Sequence, residues 1–298
     1  MGKLPCMRVS GFTVIRNAEI MGYPIVESIR SILPLVDEFV VGVGQSEDNT
    51  KKIIEGINSP KIKIFDSIWD KSKTQGGLIL SEKTNEALNR CQNDWCFYLQ
   101  ADEVVHENDL PHIRQNLEKY ENNKDVEGLL FEYVHFYGTY NVIGTARNWY
   151  RNEVRVIKRS SGAQSVGDAQ GFRVQERKPN VAPSGAKIFH YGWVKPPSAM
   201  GEKNKHMFRW WHGNKYDDSF KDFAYKTAYG LRYFKGSHPQ IMADLIAKQN
   251  WTFELKKGFS DWNRRDVKNW LSDVVEKVVG RRIGEHKNYV LLKKKGVL

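Results

Sequence analysis

Asp102, Glu103, His106 and Glu107 follow closely on Trp95–Gln100, a run that reads as a buried strand. Carboxylates at a strand tip suit a hard divalent cation, which takes oxygen ligands. Such a cation can neutralise a diphosphate and stabilise it as a leaving group. Asp102 and Glu103 point to opposite sides if the strand continues, so only one can be a ligand there. Asp102 is preferred, since it follows the strand by a short turn; either acid could instead cap the next element. His190 ends the apolar run "AKIFHYGW". A neutral imidazole there could complete a metal shell, or pack on Tyr191 and Trp193 as a core histidine. Arg155, Lys158 and Arg159 could neutralise a diphosphate, and Trp149 and Tyr150 could stack on a sugar; solvation and core packing explain the same residues.

These residues need elements to position them. "RVSGFTVIRN" holds a short apolar run ending at Asn17, and "YPIVESIRSILPLV" has near-helical spacing up to Pro34. "DEFVVGVG" reads as a buried strand, "TKKIIEGI" as a helix, "KIKIFDS" as a strand and "LILSEKTNEALNRC" as a helix before "WCFYLQ". Strands alternating with helices predict a parallel α/β sheet, and such sheets bind ligands beyond the carboxyl ends of their strands. The tips Gly44–Thr50 and Ala101–Glu103 should therefore share one edge. "GLLFEYVHFYGTY", "NEVRVIKR" and "GAKIFHYGWV" are β-rich. From Pro196 onward the pattern turns helical, in "KDFAYKTAYGLRYFKG" and "RDVKNWLSDVVEKVVG". The expected division is a catalytic domain over 1–195 and a helical region over 196–298.

Composition narrows the class. With 298 residues, 40% hydrophobic and 27% charged, the chain can bury a sizeable core. Its net charge of +11 attracts polyanions such as nucleic acid, acidic membrane or a phosphorylated small molecule. Three cysteines, Cys6, Cys91 and Cys96, argue against a disulfide scaffold and fit a reducing compartment. No apolar signal sequence stands at the N-terminus, and no segment approaches the roughly 18 apolar residues of a membrane span. The expectation is a cytoplasmic protein.

Taken together, "VIRNAE", "VDEFVVGVGQSEDNT", "EKTNEAL" and "DWCFYLQADEVVHE" resemble a family 2 glycosyltransferase of the GT-A nucleotide-diphospho-sugar fold. The likeness covers residues 8 to 110 and is looser beyond. It is closest to a subgroup with "LQADE" at the strand tip and "HYGW" further along. The resemblance implies a Rossmann-like, mostly parallel sheet flanked by helices, with a C-terminal helical extension. It implies transfer of a sugar from a nucleotide-diphosphate donor to a glycan or lipid-linked glycan acceptor, with inversion, using Mn2+ or Mg2+. Asp102 matches the metal ligand, joined by His190 as the second candidate. Asn17, Ser46, Asp48, Thr50, Asn85, Gln100 and Ala101 match the nucleotide-sugar side.

Two departures stand out. Gln100 occupies the place of the family's first aspartate and cannot add charge to a metal site. Val43 and Gly44 stand where the family often carries base-recognising acids, so the base is left open. An inverting transfer also needs a base for the acceptor hydroxyl. Asp168, Gly-flanked in "SVGDAQGFR", is the candidate and Glu153 in "RNEVR" the reserve; Asp168 has equally the pattern of a turn aspartate.

Rival classes make different demands. A nucleotidyltransferase should carry a glycine-rich basic loop after the first strand, which "VIRNAEIMGYP" lacks. A nucleic-acid-binding protein should show a concentrated basic patch, and no recognised motif of that kind occurs, so no nucleic-acid partner is expected. A catalytically silent sugar-binding module remains open because of Gln100. In the last predicted helix Val267, Trp270, Leu271, Val274, Val275, Val278 and Val279 form one apolar face with Lys268, Lys277, Arg281 and Arg282 nearby. Such a face packs on a core or partner, or lies peripherally on an anionic membrane.

Overall fold

The computed structural model describes residues 7–70, 72–73, 76–220, 222–256, 258 and 262–292; Cys6 and the lysines that follow Leu292 lie outside them. The chain begins with β1 (Val9–Ile15), α1 (Ile25–Ile32), β2 (Glu38–Gly44), α2 (Thr50–Glu55), β3 (Ile62–Ser67), α3 (Leu78–Leu88) and β4 (Trp95–Tyr98). Next come β5 (Glu103–Val105), α4 (Leu110–Tyr120), β6 (Gly128–Tyr137), β7 (Thr139–Gly144) and β8 (Asn152–Lys158). A hairpin of β9 (Ala163–Val166) and β10 (Gly171–Val174) leads to the long β11 (Asn180–Trp193). α5 (Pro197–His212), β12 (Leu231–Tyr233), α6 (Ala243–Ala247), α7 (Arg264–Val279) and β13 (Val290–Leu291) complete it.

Eleven strands share one sheet, whose main path is β12-β7-β6-β8-β4-β1-β2-β3, with β11 also pairing β6. Following the parallel and antiparallel pairings through the sheet, β5, β7 and β8 oppose the other eight strands. The expected α/β sheet with flanking helices is thus present, and β1, β2 and β4 end on one edge, as the strand-tip argument requires.

Alternation along the strands explains the layers. Val9, Ile15, Phe39, Val41, Trp95 and Phe97 face one side and pack with Ile29 of α1 and Ile113 of α4. Phe12, Val40, Cys96 and Tyr98 face the other, against Ala87 and Leu88 of α3 and Phe172 of the hairpin. α1 has only eight residues, and a helix shorter than about 12 is marginal alone. Its Ile25, Ile29 and Ile32 are buried, each contributing about 1.5–3 kcal/mol; packing holds this helix.

The stretch 222–230, within the first of the two helices expected after Pro196, is instead irregular, and Leu231–Tyr233 adds an edge strand to β7. Its aromatic residues pack laterally rather than along a helix stripe: Tyr225 meets the rings of Tyr137 and Phe253. Residues after Pro196 therefore supply two strands of the main sheet, β12 and β13.

Candidate functional site

β4 ends in a tight turn in which Glu103 N donates to Gln100 O at 3.0 Å. The turn leaves Asp102 at its tip, and β5 then pairs with β11 so that Glu103 lies opposite His190. Tyr191 N donates to Asp102 O at 2.8 Å, fixing the tip against β11. The register of β11 on β6 shifts between His190 and Trp193, and such irregularities re-aim side chains beside functional sites. Asp102 Oδ2 consequently lies 3.6 Å from His190 Nε2 and 3.6 Å from Lys203 Nζ of α5.

The histidine behind this pair sets its protonation. The Tyr150 carbonyl can only accept, so His135 donates to it from Nε2 at 2.7 Å. His135 Nδ1 is then an acceptor for His190 Nδ1–H at 3.0 Å. Burial first, and His190 second, hold the pKa of His135 well below the ordinary histidine value, so it stays neutral. His190 Nε2 therefore presents its lone pair on the side of Asp102. Two electron-pair donors face each other, an arrangement satisfied by a cation between them or by a second proton on His190. Burial alone would raise the pKa of Asp102, but His190 when it carries that second proton, with Lys203 and Lys195, outweighs it and holds the carboxyl well below the usual range.

Gly192 leaves the room. A Cβ at this position would sit 2.5 Å from Asp102 Oδ2 and 2.7 Å from His190 Nε2. The missing methyl group is a small cradle between the two ligand-type atoms. Among the described residues no group of three or more His, Cys, Asp and Glu side chains is placed to hold a metal. One carboxylate and one imidazole fit a cation whose remaining ligands come from substrate oxygens.

Two cavities meet here. The wider, about 420 Å³, is lined by Asp102, His190, Asp168, Tyr150, Trp193 and Lys203. A narrower one of about 140 Å³ runs between the ends of β1 and β4 and is bounded by Trp69, Trp210, Gln100 and Ala101. Trp69 and Trp210 meet edge to face at 5.5 Å. The Trp69 indole fills the space over Gly44, where a Cβ would come within 2.8 Å of its Nε1. That nitrogen is buried and has no hydrogen-bond partner.

Of the residues expected at the site, Asp102, His190, Asp168, Gln100 and Ala101 come together around the two cavities. Asn17, Ser46, Asp48 and Thr50 instead bind one another's loops. Asn17 N donates to Ser46 Oγ at 3.0 Å, Ala18 N to Thr50 Oγ1 at 2.7 Å and Ile20 N to Asp48 Oδ2 at 2.9 Å. Asn85 exchanges two hydrogen bonds with the backbone of Ser165, tying α3 to β9. Glu153 is 3% exposed and stands behind Gln170, which donates to its Oε1 at 2.9 Å; it does not line either cavity.

The basic run of β8 points away from the cleft. Arg155 is fully buried on Glu103, Lys158 Nζ donates to the carbonyls of Tyr120, Glu121 and Asn123, and Arg159 donates to the Cys91 carbonyl. Arg155 and Lys158 are buried and satisfied by protein oxygens, and the exposed Arg159 lines neither cavity. Lys203 lines the wider cavity and Arg16 the narrower, with Lys195 nearby; the Lys203 and Lys195 ammonium groups lie 5.0 Å from the Tyr23 ring. Tyr150 lines the wider cavity, whereas Trp149 packs beneath on His135.

Sequence reasoning did not find Lys203, Trp69, Trp210 or the role of Gly192. The string "HYGW" was the only signal for the glycine.

No known protein family matches the chain, and no curated protein matches it. Among solved structures, residues 1–349 of Staphylococcus aureus TarS in complex with UDP align at 19% identity over 44% of this chain and 37% of that one, with a TM-score of 0.34. A second structure of S. aureus TarS aligns at 12% identity over 67% of this chain and 39% of that one, TM-score 0.41. Glucosyl-3-phosphoglycerate synthase from Mycobacterium tuberculosis, in complex with Mn2+, UDP and glucosyl-3-phosphoglycerate, aligns at 17% identity over 44% of this chain and 45% of that one, TM-score 0.30. The chain thus spans less than half the length of each of these proteins.

Proposed function

We propose that this chain transfers a glycosyl group from a nucleotide-diphospho-sugar to a hydroxyl of a glycan or lipid-linked glycan acceptor, with inversion at the anomeric carbon. The observation that carries the reading is the cradle over Gly192, where Asp102 Oδ2 and His190 Nε2 face each other beside the Lys203 ammonium. Asp102 and His190 would hold Mn2+ or Mg2+. When bound, that ion neutralises charge on the departing diphosphate.

The chain's own groups do the rest. Lys203 adds a fixed positive charge beside the diphosphate in a cleft that limits water, where such charges act strongly. Gln100, a neutral donor and acceptor, suits a ribose hydroxyl. The indole pair suits a base in the narrow cavity, replacing the acids absent at Val43 and Gly44. Asp168 is the carboxylate on the wider cavity that can take the acceptor's proton. The loops of Asn17, Ser46, Asp48 and Thr50 hold the rim in shape.

The test is a thermal-shift panel of nucleotide-diphospho-sugars with and without Mn2+ or Mg2+, on the wild type, Asp102→Ala and Gly192→Ala. One donor should raise Tm by a few degrees only with metal, the gain expected of a ligand in excess over its Kd. Both variants should lose that shift, Asp102→Ala because the carboxylate is gone and Gly192→Ala because the added methyl fills the cradle. The reading fails if no donor stabilises the wild type with either metal while RNA or DNA binds tightly and salt-sensitively. Asp168→Asn should keep the shift and lose transfer by about 100-fold or more.

A further inference from the structure

α7 packs the wrong way round for a surface helix. Its polar stripe faces the protein: Asp266 accepts from Tyr229 N at 3.0 Å, Ser272 from Arg147 at 2.9 Å, and Asp273 from the Tyr229 hydroxyl at 3.0 Å. Glu276 accepts two hydrogen bonds from Arg151 at 2.6 and 3.0 Å and another from Arg282 at 3.0 Å. The apolar stripe faces out. Val267, Trp270, Leu271, Val274, Val275, Val278 and Val279 are all exposed, Leu271 at 51% and Val278 at 83%. At about 100° per residue they cover roughly half the helix circumference. A contiguous apolar face of this kind on a water-soluble surface marks an interaction site.

The charges select the partner. The helix has three acids, Asp266, Asp273 and Glu276, and all three are committed inward. Lys268 and Arg265 flank the apolar stripe on one side and Lys277 on the other, all exposed. The outward half therefore combines hydrocarbon with positive charge alone. A second copy of this chain would set like charges against each other. An anionic bilayer offers acyl chains to the stripe and headgroup phosphates to its edges. No helix among the described residues is long and apolar enough to cross a membrane, so the contact is peripheral.

We infer that α7 is a preformed docking surface for an anionic lipid bilayer. It is also coupled to the cleft. Arg151, held by Glu276, is the neighbour of Tyr150, which lines the wider cavity and whose carbonyl orders His135. If the glycosyl-transfer reading holds, the surface would bring the acceptor side of the cleft to the bilayer, favouring a lipid-linked acceptor. Only that consequence rests on the reading; the docking itself does not.

The experiment is flotation of the full chain, without donor or metal, with vesicles of phosphatidylcholine or of phosphatidylcholine mixed with phosphatidylglycerol. The wild type should float with the phosphatidylglycerol vesicles, less so as salt is raised, with a blue shift in tryptophan emission from Trp270. Leu271→Asp with Val278→Asp alters only exposed positions and should abolish flotation while Tm stays unchanged. Lys268→Glu with Lys277→Glu should weaken it by about tenfold or more and remove the lipid selectivity. The inference is overturned if the wild type does not float, or if the aspartate pair floats equally well. It is likewise overturned if light scattering shows a dimer that the aspartate pair dissolves, since the face then joins two copies. Flotation together with a failed donor panel would leave the docking surface standing and the transferase reading fallen.

Discussion

Glu103 turns inward to Arg155, whose Nε and Nη2 reach its two oxygens at 2.9 and 2.8 Å, and Tyr133 adds its hydroxyl at 2.7 Å. Both charged side chains are fully buried. Removing one partner leaves an uncompensated charge, so Arg155→Met should cost about 3–5 kcal/mol in urea unfolding, and pairing it with Glu103→Leu should recover most of that loss. His238 gives a second test. Its Nδ1 meets the Tyr191 hydroxyl at 2.9 Å among aromatic rings, and burial lowers its pKa. The unfolded chain then takes up a proton that the folded one refuses, so stability falls as pH drops below about 6.5. His238→Gln should flatten part of that slope in unfolding measured across pH, His135 supplying a further part. At this scale the sequence reaches Asp102 and His190, because an acid or imidazole closing an apolar strand has few other places to go. It does not reach Lys203, which comes from a helix about a hundred positions away, where nothing in local spacing separates a buried lysine from a solvated one.

The β9–β10 hairpin carries Asp168 at its turn, and its hold on the body is the Asn85 clamp, with bonds of 2.9 and 2.7 Å to Ser165. Asn85→Ala should cost about 1 kcal/mol of stability. It should lower transfer activity while leaving the donor-induced thermal shift in place, because the acid moves and the Asp102 side does not. Loss of that shift would place Asn85 on the donor instead. The alternating strands and helices up to β4 are legible in sequence, since the apolar period changes cleanly from two to near four. Residues 222–230 are not: the aromatic residues there satisfy a helix pattern by count, yet pack sideways onto Tyr137 and Phe253. The apolar stripe of α7 was equally readable, but its direction was not. Only the polar anchors on Tyr229, Arg147 and Arg151 decide which side meets the protein.

On the scale of the whole molecule, the region after Pro196 closes what the first part begins. α5 supplies Lys203, Met207 and Trp210 to the cavity walls, and β12 and β13 finish the sheet. A chain ended at Lys195 would uncover the aromatic layer of Phe136, Tyr140 and Tyr191, which packs against Phe234 and Met242. It should therefore aggregate on expression, and any soluble fraction should show no donor-induced shift. α7, finally, is capped at both ends, by a reciprocal Asn263–Asp266 box and by Gly280 in the left-handed conformation. With its polar stripe already bonded to the body, the helix needs no lipid to fold. Amphipathic segments that are coil in water lose chain entropy each time they adsorb; this one has met that cost during folding. Far-UV circular dichroism should accordingly be the same in buffer and on vesicles, and adsorption should be fast and readily reversed.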